Sequence, residues 1–158
     1  MKKFLLSIWR ILPFFMQRIA SAIIRPHFQV AVGAVILNEK GEVLLCRHSY
    51  RRLHAWGLPG GDLKFKEDPM DGVRREVLEE TGFKVNHAEL LLAENSREIH
   101  HVSLTYLCTG TPGNFIPNDE VTEIRYFQPS QLPVFFDEHQ KTIDECLRII
   151  NRKKELQP

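Results

Sequence analysis

Glu76, Glu79 and Glu80 stand at i, i+3 and i+4 in a stretch with helical periodicity, so their carboxylates share one helix face. Three such groups repel one another. The plain reading is a solvated acidic face. The chemical reading is a hard-cation site, because Mg²⁺ takes oxygen ligands, keeps several waters and shares its shell with substrate phosphates. Ahead of the glutamates lies Leu58-Pro59-Gly60-Gly61. Glycine lets the backbone come close to a bound group and leaves its carbonyl and N–H groups open.

The helix that carries the glutamates is expected over Pro69 to Thr81. Met70, Val73, Val77 and Leu78 form its apolar stripe, with the three carboxylates on the face away from it. Asp68 suits the N-cap, Pro69 the first helical position, and Asp71 adds negative charge in the first turn. Gly82 is a natural stop, since a left-handed residue just past a helix costs glycine little.

The whole segment from Trp56 to Phe83 resembles the signature of the Nudix hydrolases, G-x5-E-x7-R-E-U-x-E-E-x-G-U, with U bulky and apolar. Gly61, Glu67, Arg75, Glu76, Val77, Glu79, Glu80, Gly82 and Phe83 fill its fixed positions, a far more specific match than a lone glycine motif. The family often has small residues such as alanine where this chain has Asp71 and Gly72. Gly72 costs a helix roughly 1 kcal/mol relative to alanine, a local weakness that leaves the acidic positions intact.

The resemblance implies an α/β/α sandwich around a mixed sheet. It also implies hydrolysis of a nucleoside diphosphate linked to a second moiety, by attack of water on phosphorus. The implied cofactor is Mg²⁺, with Mn²⁺ as the alternative, held by Glu76, Glu79, Glu80 and the Gly60 carbonyl. Arg75 is expected to pair with a carboxylate such as Glu67 and to orient the cluster without touching substrate. Some relatives take a further ligand or base from a loop before a late strand, and Glu120, following Asp119 and preceding Glu123 to Phe127, holds that place here. Clustered carboxylates without metal have raised pKa values, so Glu76, Glu79 or Glu120 is a candidate base.

Candidate substrate contacts are Arg47, Arg51 and Arg52 in the loop running from Arg47 to Trp56, and His101 in the His100-His101 pair. The alternatives are an exposed basic loop and a half-exposed turn. Trp56 reads as the anchor of that loop in the core. Substrate markers are weak. Residues 97–99 lack the proline common in relatives that cleave ADP-ribose, the tyrosine of many dinucleoside polyphosphate hydrolases is missing near His100, and Leu44 to His48 echoes the coenzyme A type pattern only in part. The expected substrate is a small nucleotide: a nucleoside triphosphate, a nucleotide sugar or ADP-ribose. Two alternatives remain open, an RNA 5′-end pyrophosphohydrolase and a non-catalytic Nudix-fold nucleotide-binding regulator.

Strands are expected at Val30–Leu37 and Glu42–Arg47, paired as a hairpin through Asn38 to Gly41. A short extended piece follows the acidic helix at Lys84–Asn86. Leu90–Glu98 and Val102–Cys108 read as neighbours in one sheet, Gly110–Asn118 as a loop, and Glu123–Gln128 as a further strand. A C-terminal helix follows, with an Asp137–Gln140 capping pair and a stripe of His139, Ile143, Cys146, Leu147 and Ile150.

A length of 158 residues suits one domain with an adequate core. The formal charge of +1 gives no general reason to expect stable nucleic-acid binding. Three widely spaced cysteines without a C-x-x-C pair indicate neither a zinc site nor a disulfide framework. The domain is expected over residues 27–158, in the cytoplasm, as a monomer or homodimer. Residues 1–26 are expected to form an amphipathic helical extension, kinked or split at Pro13. Lys3, Ser7, Arg10, Gln17 and Ser21 lie on one side, and Phe4, Ile8, Ile11, Leu12, Phe15, Ile19 and Ile23 on the other. Burying Arg10 and Arg18 in a spanning helix would cost roughly 2.5–3.5 kcal/mol each. Packing on the body or a second subunit is the favoured reading. A cleaved signal and attachment to a membrane surface are the alternatives.

Overall fold

A computed structural model describes residues 9–24, 27–96, 100–134 and 137–156. The expected N-terminal helix faces at Lys3, Phe4, Ser7 and Ile8, the strand end at Glu98, and the side chains of Ile23, Asp137 and His139 lie outside what it describes. The elements are α1 (Phe14–Ile24), β1 (Gln29–Ile36), β2 (Val43–His48), β3 (Trp56–Gly57), β4 (Gly60–Asp62), α2 (Pro69–Thr81), β5 (Lys84–Ser96), β6 (His101–Thr111), β7 (Val121–Phe127) and α3 (Asp137–Leu156), with one 3₁₀ turn at Pro129–Gln131.

The strands form two sheets, ordered β4-β1-β6-β5 and β3-β2-β7. In the first, β1 runs parallel to β6 and antiparallel to β4. The sheet is therefore mixed, and the α/β expectation holds. The expected β1–β2 hairpin does not form. Its turn is present: the Asn38 side chain accepts from the N–H groups of Lys40 and Glu42, and Gly41 takes φ +75°. Only one bridge, Leu37 to Val43, then joins the two strands. β1 instead pairs with β6 from Gln29–His101 to Ile36–Cys108, and β2 pairs with β7. Lys84–Asn86 is the start of the long β5, and Gly110 belongs to β6.

Alternation along β1 and β2 explains the layers. Val32, Ala34 and Ile36 join Leu44, Val73 and Val77 in a core under α2. Val35 packs with Cys146 and Ile150 of α3, while Val43 and Leu45 pack with Ile143. Each strand thus feeds one helix from each face. Trp56 meets Phe127 edge to face at 4.9 Å and anchors its loop as expected.

Helix α2 starts and stops where the sequence placed it. Asp68 Oδ1 accepts from the Met70 N–H at 2.9 Å, and Gly82 closes the helix at φ +71°. Gly72 is buried, and a Cβ there would lie 2.3 Å from Leu63 Cδ2, so its cost to the helix is offset by room for Leu63. The stripe itself needs correction. Leu78 is 53% exposed, whereas Glu80 and Thr81 are buried beside Val77. Glu80 lies seven residues after Val73, close to two full turns, so it shares the inward face.

Helix α1 begins after a break at Pro13, as expected; the Pro13 carbonyl accepts from the N–H groups of Met16 and Gln17. Its apolar side does not pack on the body. Ile11, Phe14, Phe15 and Ile19 are exposed, and α1 has no extensive packing on either sheet. Among the described residues no helix is long and apolar enough to cross a membrane.

The corrected stripe has a direct consequence for stability. Val77→Ala is expected to cost about 2 kcal/mol, from lost burial and the cavity left. Leu78→Ala should stay within about 0.5 kcal/mol. Urea unfolding of both variants checks this, with the larger loss at position 77.

Candidate active site

The glycine pair crosses β1 in antiparallel register, Gly33 opposite Gly60 and Val32 opposite Gly61. The approach is too close for side chains. A Cβ on Gly60, at φ +150°, would lie 2.1 Å from the Val32 carbonyl oxygen, and one on Gly61 would lie 2.8 Å from the Glu76 carboxylate. The Pro59 carbonyl accepts from the Ala34 N–H at 2.9 Å, which ties the loop to the sheet.

Behind this crossing, the Gly60 N–H donates to Glu80 Oε2 at 2.7 Å. Glu80 is only 5% exposed. Burial raises its pKa to about 7; the Gly60 N–H and Arg51 act against that rise, while Glu76 and Glu120 add to it. His48 Nδ1 sits 3.7 Å from Glu80 Oε1, buried next to the site.

Arg75 is the hub of the exposed side. Its Nε and Nη2 donate to the two oxygens of Glu67 at 2.7 and 2.8 Å, a bidentate pair. Its Nη1 donates to Glu76 and, at 3.4 Å, to Glu79, and Nη2 reaches the Asp62 carbonyl at 3.3 Å. Hydrogen bonds from Arg75, with one from the Lys64 N–H, lower the Glu67 pKa to about 2. In return Glu67 and Glu76 raise that of Arg75.

Glu120 comes from the loop before β7. The Asn118 side-chain oxygen accepts from the N–H groups of Glu120 (2.9 Å) and Val121 (2.7 Å), and the Glu120 carbonyl accepts from the Ser49 N–H. The Asn118 amide also donates to the Glu79 carbonyl at 3.4 Å, fastening the loop to the end of α2.

These elements enclose a cleft of about 570 Å³. Its walls include Glu76, Glu80, Glu120, Gly60, Arg51 and His101. Glu79 does not line it; its exposed carboxylate lies toward Arg75 and, at 4.0 Å, Lys64. Arg47 and Arg52 do not line it either. Arg47 is the exposed position in β2, its side chain directed away from the core. Tyr50, Asp62, Ser103, Thr105 and Thr142 also line it and were not singled out from the sequence. Tyr50 adjoins Arg51 and Asp62 follows Gly61, so proximity to the motif was a usable signal. Thr142, from the distant α3, carried none. Among the described residues, no three acidic, histidine or cysteine side chains are already gathered for a metal.

The fold around this glycine loop and acidic helix matches one model over most of the chain. Residues 27–147 fit the NUDIX domain. The chain belongs to the Nudix family. It is 33% identical over 107 residues to a MutT-like protein of Streptomyces ambofaciens, 68% of either chain. The crystal structure of a MutT Nudix hydrolase from Burkholderia pseudomallei superposes with a TM-score of 0.65 at 26% identity, covering 76% of this chain and 98% of that one. An ADP-ribose pyrophosphatase from Streptococcus suis shares the fold, with a TM-score of 0.62 at 24% identity over 77% of this chain and 91% of that one. This Nudix chain is an enzyme of the pyrophosphohydrolase type.

The Arg75–Glu67 pair gives the Nudix helix an acid-sensitive clasp. Glu67 holds its charge in the fold down to about pH 2 against an ordinary value of 4.5. Across that window the unfolded chain binds more protons, so the clasp contributes fully above about pH 4.5 and is lost as pH falls toward 2. Glu67→Gln is therefore expected to lower the melting temperature at pH 7 and to shrink that difference on acidification below pH 4. Thermal unfolding at a series of pH values reads both.

Proposed function

We propose that this Nudix enzyme hydrolyses a pyrophosphate bond in a small nucleotide, a nucleoside diphosphate linked to a second moiety. The hydrolase domain in this reading is residues 27–158, with 1–26 as an extension, acting in the cytoplasm. The cleft volume lies in the range of small-molecule sites. The observation that carries the reading is the convergence of Glu76, Glu80, Glu120 and Gly60 on one cleft that Arg51 and His101 also line.

The donor set fits a hard divalent cation. It offers carboxylate and carbonyl oxygens, and none of the three buried cysteines lines the cleft. Mutual repulsion among Glu80, Glu76 and Glu120 supports the fit, because a cation would relieve it. Mg²⁺ is the proposed ion, with Mn²⁺ as substitute, held by Glu76, Glu80, Glu120 and the Gly60 carbonyl at the cleft, with Glu79 completing the set by turning its exposed carboxylate away from Arg75 and Lys64. When bound, it would neutralise phosphate charge and acidify water.

The chain's own residues divide the remaining work. Arg75 fixes Glu76 beside Gly61 and keeps its carboxylate at the cleft. Arg51 supplies positive charge for the phosphates. Glu76, Glu79 or Glu120 takes the proton from the water that attacks phosphorus. His101 on β6 faces Asp62 on β4 at 3.8 Å across β1, and presents a polar edge to the substrate. ADP-ribose joins nucleoside triphosphates and nucleotide sugars as a candidate, in keeping with the name of the Streptococcus suis neighbour.

Phosphate release from a nucleotide panel tests the reading. The panel holds nucleoside triphosphates, ADP-ribose, nucleotide sugars, dinucleoside polyphosphates and triphosphorylated RNA, each with Mg²⁺ and with chelator. Turnover of one small-nucleotide class, abolished by chelator and reduced at least about 100-fold by Glu76→Gln, is expected. Arg51→Gln should raise KM more than it lowers kcat. Folded protein that binds Mg²⁺ and cleaves nothing would contradict the reading, and cleavage of RNA alone would redirect it.

A further inference from the structure

Helix α1 faces the wrong way for a helix that packs on its own domain. Ile11, Phe14, Phe15, Met16, Ile19 and Ile24, in and just before it, are all between 42% and 83% exposed. Its half-covered positions are instead Gln17, Ala20 and Ser21. The Gln17 amide donates to the carbonyls of Trp9 and Leu12 at 2.9 and 3.0 Å, folding the polar side onto the preceding turn. The large apolar residues are left outward.

Charge says what covers them. Residues 1–26 carry Lys2, Lys3, Arg10, Arg18 and Arg25 and no acidic residue; the first acid in the chain is Glu39. Two copies meeting through this segment would bring like charges together. An anionic lipid surface would attract every one of them, while the aromatic and aliphatic side chains enter the boundary between headgroups and acyl chains. Pro13 and the two arginines fit a helix lying in the interface and oppose one that crosses it.

We infer that α1 docks this hydrolase on an anionic membrane surface, with Phe14, Phe15 and Ile19 inserted and Arg10 and Arg18 at the phosphates. Only residues 25–28 separate α1 from β1, whose Ala31, Val32 and Gly33 line the cleft. At most about 25 Å of chain therefore links Ile24 to the cleft wall. Docking would hold the active site close to the lipid headgroups, where it would act on nucleotides or products at the surface.

Flotation of the full-length chain with vesicles tests the inference. One set contains phosphatidylcholine alone and the other adds phosphatidylglycerol. Binding about ten-fold stronger to the anionic set is expected, weakening as salt rises. Trp9 emission should shift to the blue on the anionic vesicles. Phe15→Ser with Ile19→Ser should abolish flotation while melting temperature and nucleotide hydrolysis stay unchanged, and Arg10→Gln with Arg18→Gln should weaken binding to the anionic set only. Failure of the full chain to float with anionic vesicles would overturn the inference. So would equal binding by the serine variant, or a dimer in solution that the serine variant converts to a monomer without any lipid binding.

Discussion

The contact on which the site depends is the hydrogen bond from the Gly60 N–H to the buried carboxylate of Glu80. It joins the glycine crossing over β1 to the inward face of α2, so sheet and helix share one polar link at the cleft floor. A buried carboxylate is costly, and its raised pKa records that cost. Glu80 places an oxygen at the inner end of α2, where the proposed cation site would use it. Stability is given up locally where a binding site gains, as expected of functional positions. Arg75 plays the opposite part on the outer side, holding Glu67 and Glu76 with charge-assisted bonds that cost little near solvent.

Local signals carried much of this architecture into the sequence. Asp68, Pro69 and Gly82 fixed both ends of α2, because capping depends on a few neighbouring residues. The Arg75–Glu67 pair and the glycine approach were legible for the same reason: both lie within the motif. Glu120 could be placed only through the family resemblance, since its loop meets α2 through Asn118, far from it in sequence.

What the sequence did not convey was partnership and direction. Alternation marks β1 and β2 as strands but says nothing of which strand lies alongside; a good turn at Asn38–Gly41 implied a hairpin that the β6 and β7 pairings override. Helical periodicity grouped the glutamates on one face, yet a turn of 100° per residue placed Glu80 inward and Leu78 outward. Amphipathicity of α1 was equally plain, while its lack of extensive packing on the sheets was not. In each case the missing information is a long-range contact, which periodicity cannot encode.

The central claim is that Glu76 and Glu80 belong to an oxygen site for a divalent cation. Mn²⁺, added to metal-free protein and followed by the loss of its free electron paramagnetic resonance signal, tests it without reference to any substrate. The expected result is uptake by the native chain, competed by Mg²⁺ and lost in Glu76→Gln and Glu80→Gln. Equal uptake by both variants, or none by the folded native chain, would contradict it.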